Sequence, residues 1–219
     1  LISGRNLRRY YRRGSETVKA LDGVYVDVRA GESVCVLGPS GSGKTTLVNL
    51  LSALDAPTAG ELTISGRRVD GLSERELVGV RRGLLGYVFQ QFHLIPTLTV
   101  AENVALPLLF LGRKAEPAKI ARVLEAVGLA DRAGHLPKEL SGGQMQRVAI
   151  GRALAVRPRV LIADEPTGNL DSHTGEAIFD LFRKTVREDG VALVLTTHNL
   201  ALAARCDRTL TLADGRIVA

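Results

Sequence analysis

Val24, Val26 and Val28 alternate with Tyr25, Asp27 and Arg29, the two-residue period of a half-buried strand. Ala30-Gly31 turns the chain, and residues 34–37 form a continuous apolar run ending at Gly38, the pattern of a strand buried on both faces. From Lys44 the period changes. Leu47, Leu50, Leu51 and Leu54 recur at i, i+3, i+4 and i+7, which predicts a helix that includes Leu54. Leu62 and Ile64 mark another strand, closed by Ser65-Gly66. From about Gln91 to Arg157 strand patterns vanish and helical spacing dominates, as in Ile120, Val123, Leu124 and Val127. Strand signals return at 160–163 and 191–196. Residues 209–219 read as two short strands around Asp214-Gly215, the strongest two-residue hairpin signal in the chain. These patterns predict an α/β fold with an internal helical block and no repeat, low-complexity tract or heptad run.

Composition narrows this picture. The chain has 219 residues, 45% of them hydrophobic and 24% charged, which excludes disordered and fibrous classes. No apolar stretch approaches the ~18 residues of a membrane helix; the longest candidate, 104–111, contains Pro107. If the protein works at a membrane, another chain must do the spanning. The net charge of +6 is spread over scattered pairs such as Arg12-Arg13 and Arg67-Arg68, which fits solvated surface or contact with anionic headgroups or phosphates. Cys35 and Cys206 are expected to be reduced, buried thiols of a reducing compartment. No secretory leader is expected, and the start at Leu1 rather than Met suggests that the chain begins upstream.

Gly38-Pro39-Ser40-Gly41-Ser42-Gly43-Lys44-Thr45 matches G-x-x-x-x-G-K-[ST] between a predicted strand and helix. Glycines let the backbone curl so that successive N–H groups point inward at phosphate oxygens, and the helix start adds its positive end. Lys44 is expected to reach the β- and γ-phosphates of a nucleoside triphosphate, and the Thr45 hydroxyl to hold Mg²⁺. A glycine-rich turn with a surface lysine would not need the flanking strand and helix. Residues 160–165, Val-Leu-Ile-Ala-Asp-Glu, deliver two carboxylates at the C-terminal end of an apolar strand, where α/β sheets put ligands. Asp164 can complete a Mg²⁺ shell and Glu165 can polarise a water for in-line attack. His198 follows the apolar strand 191–196, which puts it at the same edge, where a neutral histidine can hold a phosphate oxygen or the water. His93, His135 and His173 read as structural.

A third element is Leu140-Ser141-Gly142-Gly143-Gln144, in which Ser141 caps a helix whose apolar positions include Met145, Val148 and Ala149. Two glycines beside the cap expose N–H groups and make a second anion site. One nucleotide cradle and a separate phosphate reader invite two chains that complete each other's sites.

Together these motifs resemble the ATP-binding subunit of ABC transporters over essentially the whole chain. The resemblance implies a P-loop NTPase core with an antiparallel β subdomain (1–90 and 158–219) and an inserted α-helical subdomain (about 91–157), all in a single nucleotide-binding domain, 1–219. It implies that Tyr11, flanked by Asn6, Leu7 and Gly14, stacks on adenine. Gln90 would touch Mg²⁺ and the attacking water and sense a transmembrane partner. Asn169-Leu170-Asp171 would cross a dimer seam, and His198 would contact the γ-phosphate. ATP and Mg²⁺ are the implied cofactors. The implied assembly is a head-to-tail homodimer with each ATP between 38–46 of one copy, including Thr46, and Ser141 to Gln144 of the other. Integral membrane permease subunits are the implied partners, and the chain would sit on the cytoplasmic face of the membrane.

The stretches 92–104 and 163–171 are similar to the lipoprotein-release and macrolide-export group, with Met145 and Gly151 as departures. Phe92, Leu94, Ile95, Leu98 and Val100 would line a groove for a permease helix or belong to the helical core. A complex that signals across the membrane without transport would carry the same motifs. A nucleic-acid machine is disfavoured, because the chain has no coiled coil, one motif set and two cysteines.

Overall fold

The computed structural model describes residues 1–168 and 170–218. Two sheets organise it. Strands β1 (Ile2–Arg13), β2 (Glu16–Val28), β4 (Ala59–Ile64) and β5 (Arg67–Arg68) form an antiparallel sheet in the order β2-β1-β4-β5. Strands β3 (Ser33–Leu37), β6 (Leu85–Val88), β7 (Val160–Asp164), β8 (Ala192–Thr196), β9 (Arg208–Ala213) and β10 (Arg216–Ile217) form the second, in the order β10-β9-β3-β8-β7-β6. It is parallel except for the β9–β10 hairpin. Asp214 and Gly215 both have positive φ, 46° and 73°, as the tight hairpin turn requires.

The apolar runs are continuous because this sheet is covered on both faces. Val34 and Val36, Val160 and Ile162, and Ala192 and Val194 point into one core, with helix α1 (Lys44–Leu51) and the antiparallel sheet. Cys35, Leu161, Ala163, Leu193 and Leu195 point into the other, with α3 (Val100–Phe110), α4 (Pro117–Ala126), α5 (Gly142–Ala155) and α6 (Ser172–Asp189). Each fully buried Val, Leu or Ile contributes about 1.5–3 kcal/mol relative to exposure. Two short helices, α2 (Glu74–Arg81) and α7 (Leu200–Ala203), complete the set.

Between β6 and β7 the described residues contain only helices and loops, as the helical spacing predicts. Thr99 caps α3, with Glu102 returning a bond to its amide at 2.7 Å. The buried Asn103 side chain pins the loop before it by bonds to Ile95 N at 2.8 Å and Leu98 O at 2.9 Å.

Three local features differ from the pattern reading. β1 carries no readable alternation because register shifts follow Gly4, Leu7 and Arg9, and Asn6 is left-handed at φ 50°. β6 is four residues long, too short to show a period. Helix α1 ends at Leu51, not Leu54: Ala53 turns left-handed at φ 54°, and Leu54 N bonds Asn49 O outside the helix. Both cysteines are free thiols, and Cys206 is only half-buried. They meet in space, and the hydrogen bond between them pushes the Cys35 thiol up and holds Cys206 down.

Candidate functional site

β3 ends at Leu37 and α1 begins at Lys44, so 38–43 must turn at the carboxyl edge of the sheet. Side chains are excluded from its ends. A Cβ on Gly43, at φ 103°, would lie 2.3 Å from Ala20 O, and one on Gly38 would lie 2.2 Å from Leu212 O. The Lys44 ammonium folds back to donate to Gly38 O at 2.8 Å and Pro39 O at 2.9 Å. The Ser42 hydroxyl is buried with no partner among the described residues. A curled loop with a lysine and an orphaned hydroxyl fits a polyanion.

A cavity of about 630 Å³ opens above this loop. It brings together Ser40, Gly41, Gly43, Lys44, Thr45 and Thr46 of the cradle with Gln90, Glu165 and His198. Val18, Lys19, Ala20, Asp214 and Gly215 close its other side. Asp164 ends β7 with Oδ2 3.4 Å from the Thr45 hydroxyl. Glu165 takes a left-handed turn, φ 45°, a conformation that costs about 1–3 kcal/mol in a non-glycine residue. Its Oε1 lies 2.5 Å from His198 Nε2. Gln90 stands beside it: a Cβ on Gly168 would lie 3.5 Å from Glu165 Oε2 and 3.7 Å from Gln90 Nε2.

Thr196, at the end of β8, organises this pair and escaped the sequence reading as a site residue. Its buried Oγ1 donates to Asp164 Oδ1 at 2.7 Å and accepts from Glu165 N at 2.9 Å. The signal available was its place two residues before His198. Tyr87, on β6 three strands from β3, was also missed. Burial, and secondarily the charge of Asp164, push its hydroxyl above the ordinary tyrosine range.

Other expected site residues lie elsewhere. Ser141 caps α5, accepting from Gln144 N at 3.3 Å while Ser141 N donates to Gln144 Oε1 at 2.9 Å. Gly142 starts that helix, and a Cβ on Gly143 would meet Thr174 Cγ2 at 2.8 Å. None of Ser141, Gly142, Gly143 or Gln144 lines the cavity. Asp171 caps α6 through Thr174 N at 3.0 Å, and those bonds hold its carboxyl below the usual range. Asn169 lies outside the described residues. Tyr11 faces Val18 across the strand pair, and Val18 lines the cavity. The Tyr11 hydroxyl donates to Asp55 Oδ2 at 3.1 Å, and the Arg9 guanidinium sits 4.7 Å from its ring centre.

A second concavity, of about 360 Å³, lies between α2, β6, α3 and α5. Its walls include Tyr87, Pro107, Phe110, Val156 and Arg152. For 92–100 the alternatives are a groove or helical core, and Ile95 stays 40% exposed. Val100 is core, Leu94 packs against the core, and none of Phe92, Leu94, Ile95, Leu98 or Val100 lines this concavity.

Residues 21–168 match the family model described as ABC transporter. The chain is 45% identical over 216 residues to the lipoprotein-releasing system ATP-binding protein LolD of Paramagnetospirillum magneticum, covering 97% of this chain and 95% of the relative. It is 44% identical over 220 residues to the uncharacterized ABC transporter ATP-binding protein YknY of Bacillus subtilis, covering 100% and 95%. A solved dimer of the ATP-binding cassette MJ0796 of Methanocaldococcus jannaschii, in a post-hydrolysis state with ADP and Pi, superimposes with a TM-score of 0.93. That pair shares 42% identity over 100% of this chain and 97% of the other.

Proposed function

The chain belongs to the ABC transporter family, and from that premise we propose that it is the ATP-hydrolysing subunit that drives a separate membrane permease, with two copies sharing two nucleotides. One observation carries this reading. Lys44, Thr45, Gln90, Glu165 and His198 surround one cavity, while Ser141 and its glycines lie outside it. A second copy then supplies what the first lacks, and a two-fold arrangement closes on itself.

The roles follow from the geometry. The inward N–H groups and Ser42 Oγ receive the phosphate oxygens, and Lys44 exchanges two carbonyls for the β- and γ-phosphates. Thr45 Oγ1, Asp164 and the Gln90 amide oxygen form a hard donor set that suits Mg²⁺. When bound there, the ion would offset the negative charge of the phosphates. The attacking water gives its proton to the Glu165 carboxylate as its oxygen bonds the γ-phosphorus, and the β-phosphate oxygen leaves with ADP. His198 Nε2 orients that carboxylate and stands where it can turn to the γ-phosphate. Tyr11, on the strand paired with Val18, would meet the adenine, and Asp171 would meet the other copy. The γ-phosphate holds the copies together, and its loss lets them part.

No helix among the described residues is long and apolar enough to cross a membrane. In this reading the chain sits on the cytoplasmic face, docking a permease helix in the concavity walled by Tyr87, Phe110 and Val156. The output would be lipoprotein- or macrolide-type extrusion, as the similarity to LolD suggests. Glu165→Gln tests the reading: with MgATP it should stall hydrolysis and accumulate a dimer by size-exclusion chromatography. A variant that stays monomeric, or hydrolyses ATP at the wild-type rate, overturns it.

A further inference from the structure

Arg152 has no role in the site described so far, yet its surroundings are specific. It lies about ten residues into α5, roughly 15 Å along the axis from the helix start at Gly142. Its Nη1 donates to His93 O at 2.5 Å and its Nη2 to Phe92 O at 2.7 Å. These are consecutive carbonyls, and they come directly after Gln90-Gln91. His93 is left-handed at φ 47°. The turn it makes presents both carbonyls to one planar fork, the bidentate geometry that only arginine matches.

The guanidinium is partly withdrawn from water, and burial alone pulls its pKa down. Among the described residues no carboxylate forms an ion pair with it. A cation half-withdrawn from water and held by two backbone oxygens fixes geometry rather than balancing charge. Phe92 also lies near the start of α5, where a Cβ on Gly142 would come within 3.9 Å of its ring. Arg152 thus ties residues 92–93, directly after Gln90-Gln91, to the helix about three turns from its start.

We propose that Arg152 is a positioning residue for ATP hydrolysis, locking the segment that carries Gln90 onto the helix that starts at Ser141. The inference rests on the two-copy reading above. There Gln90 acts on the nucleotide of its own copy and Ser141 on that of the other. A rigid link between them makes closure at one nucleotide set the glutamine at the second. The link acts on the chemical step and leaves the cradle of 38–46 untouched, because among the described residues the hydrogen bonds of Arg152 go to Phe92 and His93 and not to that loop.

The experiment compares wild type, Arg152→Ala and Arg152→Lys in steady-state MgATP hydrolysis, with MgADP affinity measured separately. Arg152→Ala is expected to lower kcat at least tenfold, with KM and MgADP affinity within twofold of wild type. Arg152→Lys, which keeps the charge but not the fork, should fall between them. Wild-type kcat in Arg152→Ala overturns the proposal, and so does a loss of MgADP affinity equal to the loss of kcat, which would mark general structural damage. Should Arg152→Ala fail to fold, Arg152→Lys decides: wild-type kcat there overturns the proposal. Each variant is repeated with Glu165→Gln and sized with MgATP. A Glu165→Gln dimer with an unaffected Arg152→Ala rate sinks the positioning role alone. Failure of Glu165→Gln itself to dimerise sinks the two-copy reading.

Discussion

Thr196→Val removes one oxygen and leaves the shape of the side chain almost unchanged, so its effect isolates the hydrogen bonds. Thr196 is fully buried, donates to Asp164 Oδ1 at 2.7 Å and accepts from Glu165 N at 2.9 Å. The bond to the carboxylate is charge-assisted and contributes about 1.5–3 kcal/mol. The Glu165 amide would be left buried and unpaired, at a further cost of about 1–3 kcal/mol. The added methyl offsets about 1 kcal/mol of that through burial. The net loss of stability is about 1.5–5 kcal/mol, which for a chain of this size lowers Tm by roughly 3–20 °C. The rate should fall as well, because the carboxylate near Thr45 and the backbone that aims Glu165 both lose their anchor. If one charge-assisted bond is expressed in the transition state, kcat drops by at least about tenfold. Calorimetry and steady-state hydrolysis, run well below both melting points, measure the two effects. Thr196→Ser retains the hydroxyl and should recover most of both. A Thr196→Val protein that melts and hydrolyses like wild type would refute the assignment of Thr196 as the anchor of the pair.

Lys44→Ala removes the ammonium from a cradle where it now satisfies two carbonyls. ATP affinity should fall about 10–100-fold, the value of one lost charge-assisted contact, and unchanged affinity by calorimetric titration would disprove the cradle assignment. Phe110 is 71% exposed on the rim of the second concavity. Phe110→Asp should weaken association with the proposed permease partner by about 10–100-fold, and undiminished association would move the docking surface elsewhere. Asp22 ties β2 to β1 and β10 through Tyr10 at 2.6 Å and Arg216 at 2.8 Å. Hydrogen bonds from Tyr10 and then Arg216 hold its carboxyl down at about 2. A folded-state pKa below the ordinary one means that this stabilisation is complete above the unfolded value near 4 and is lost as pH falls through about 2. Asp22→Asn should therefore flatten the acid limb of the stability–pH curve, and an unchanged limb would remove Asp22 from it.

Motifs whose parts are neighbours in the chain were legible without coordinates. Gly38 to Thr45 is a single turn between a strand and a helix, so spacing alone specifies its shape. Asp214-Gly215 announces its hairpin for the same reason. The Ser141 cap needed only the glutamine three residues on. β1 was not legible, because bulges after Gly4, Leu7 and Arg9 break the alternation on which such a reading depends. The end of α1 was misread because Leu54 continues a leucine period that the left-handed Ala53 cuts short. The groove was sought among Phe92 to Val100, where apolar density is highest. Of those residues Val100 and Leu94 pack inward while Ile95 stays exposed, and the concavity forms between α2, β6, α3 and α5.

What the sequence determined by itself was the local chemistry: a phosphate cradle, a pair of carboxylates, a capped helix start and the fold class that holds them. The order β9-β3-β8-β7-β6 then decided which of these meet. Parallel strands bring their carboxyl ends to one edge whatever the distance between them in the chain, and so Thr45, Asp164 and Thr196 become neighbours. Periodicity reports that a face is buried but carries no record of what covers it. Only the packed molecule could show that Thr196 ties Asp164 to the Glu165 backbone and that Arg152 reaches back to the carbonyls beyond Gln90.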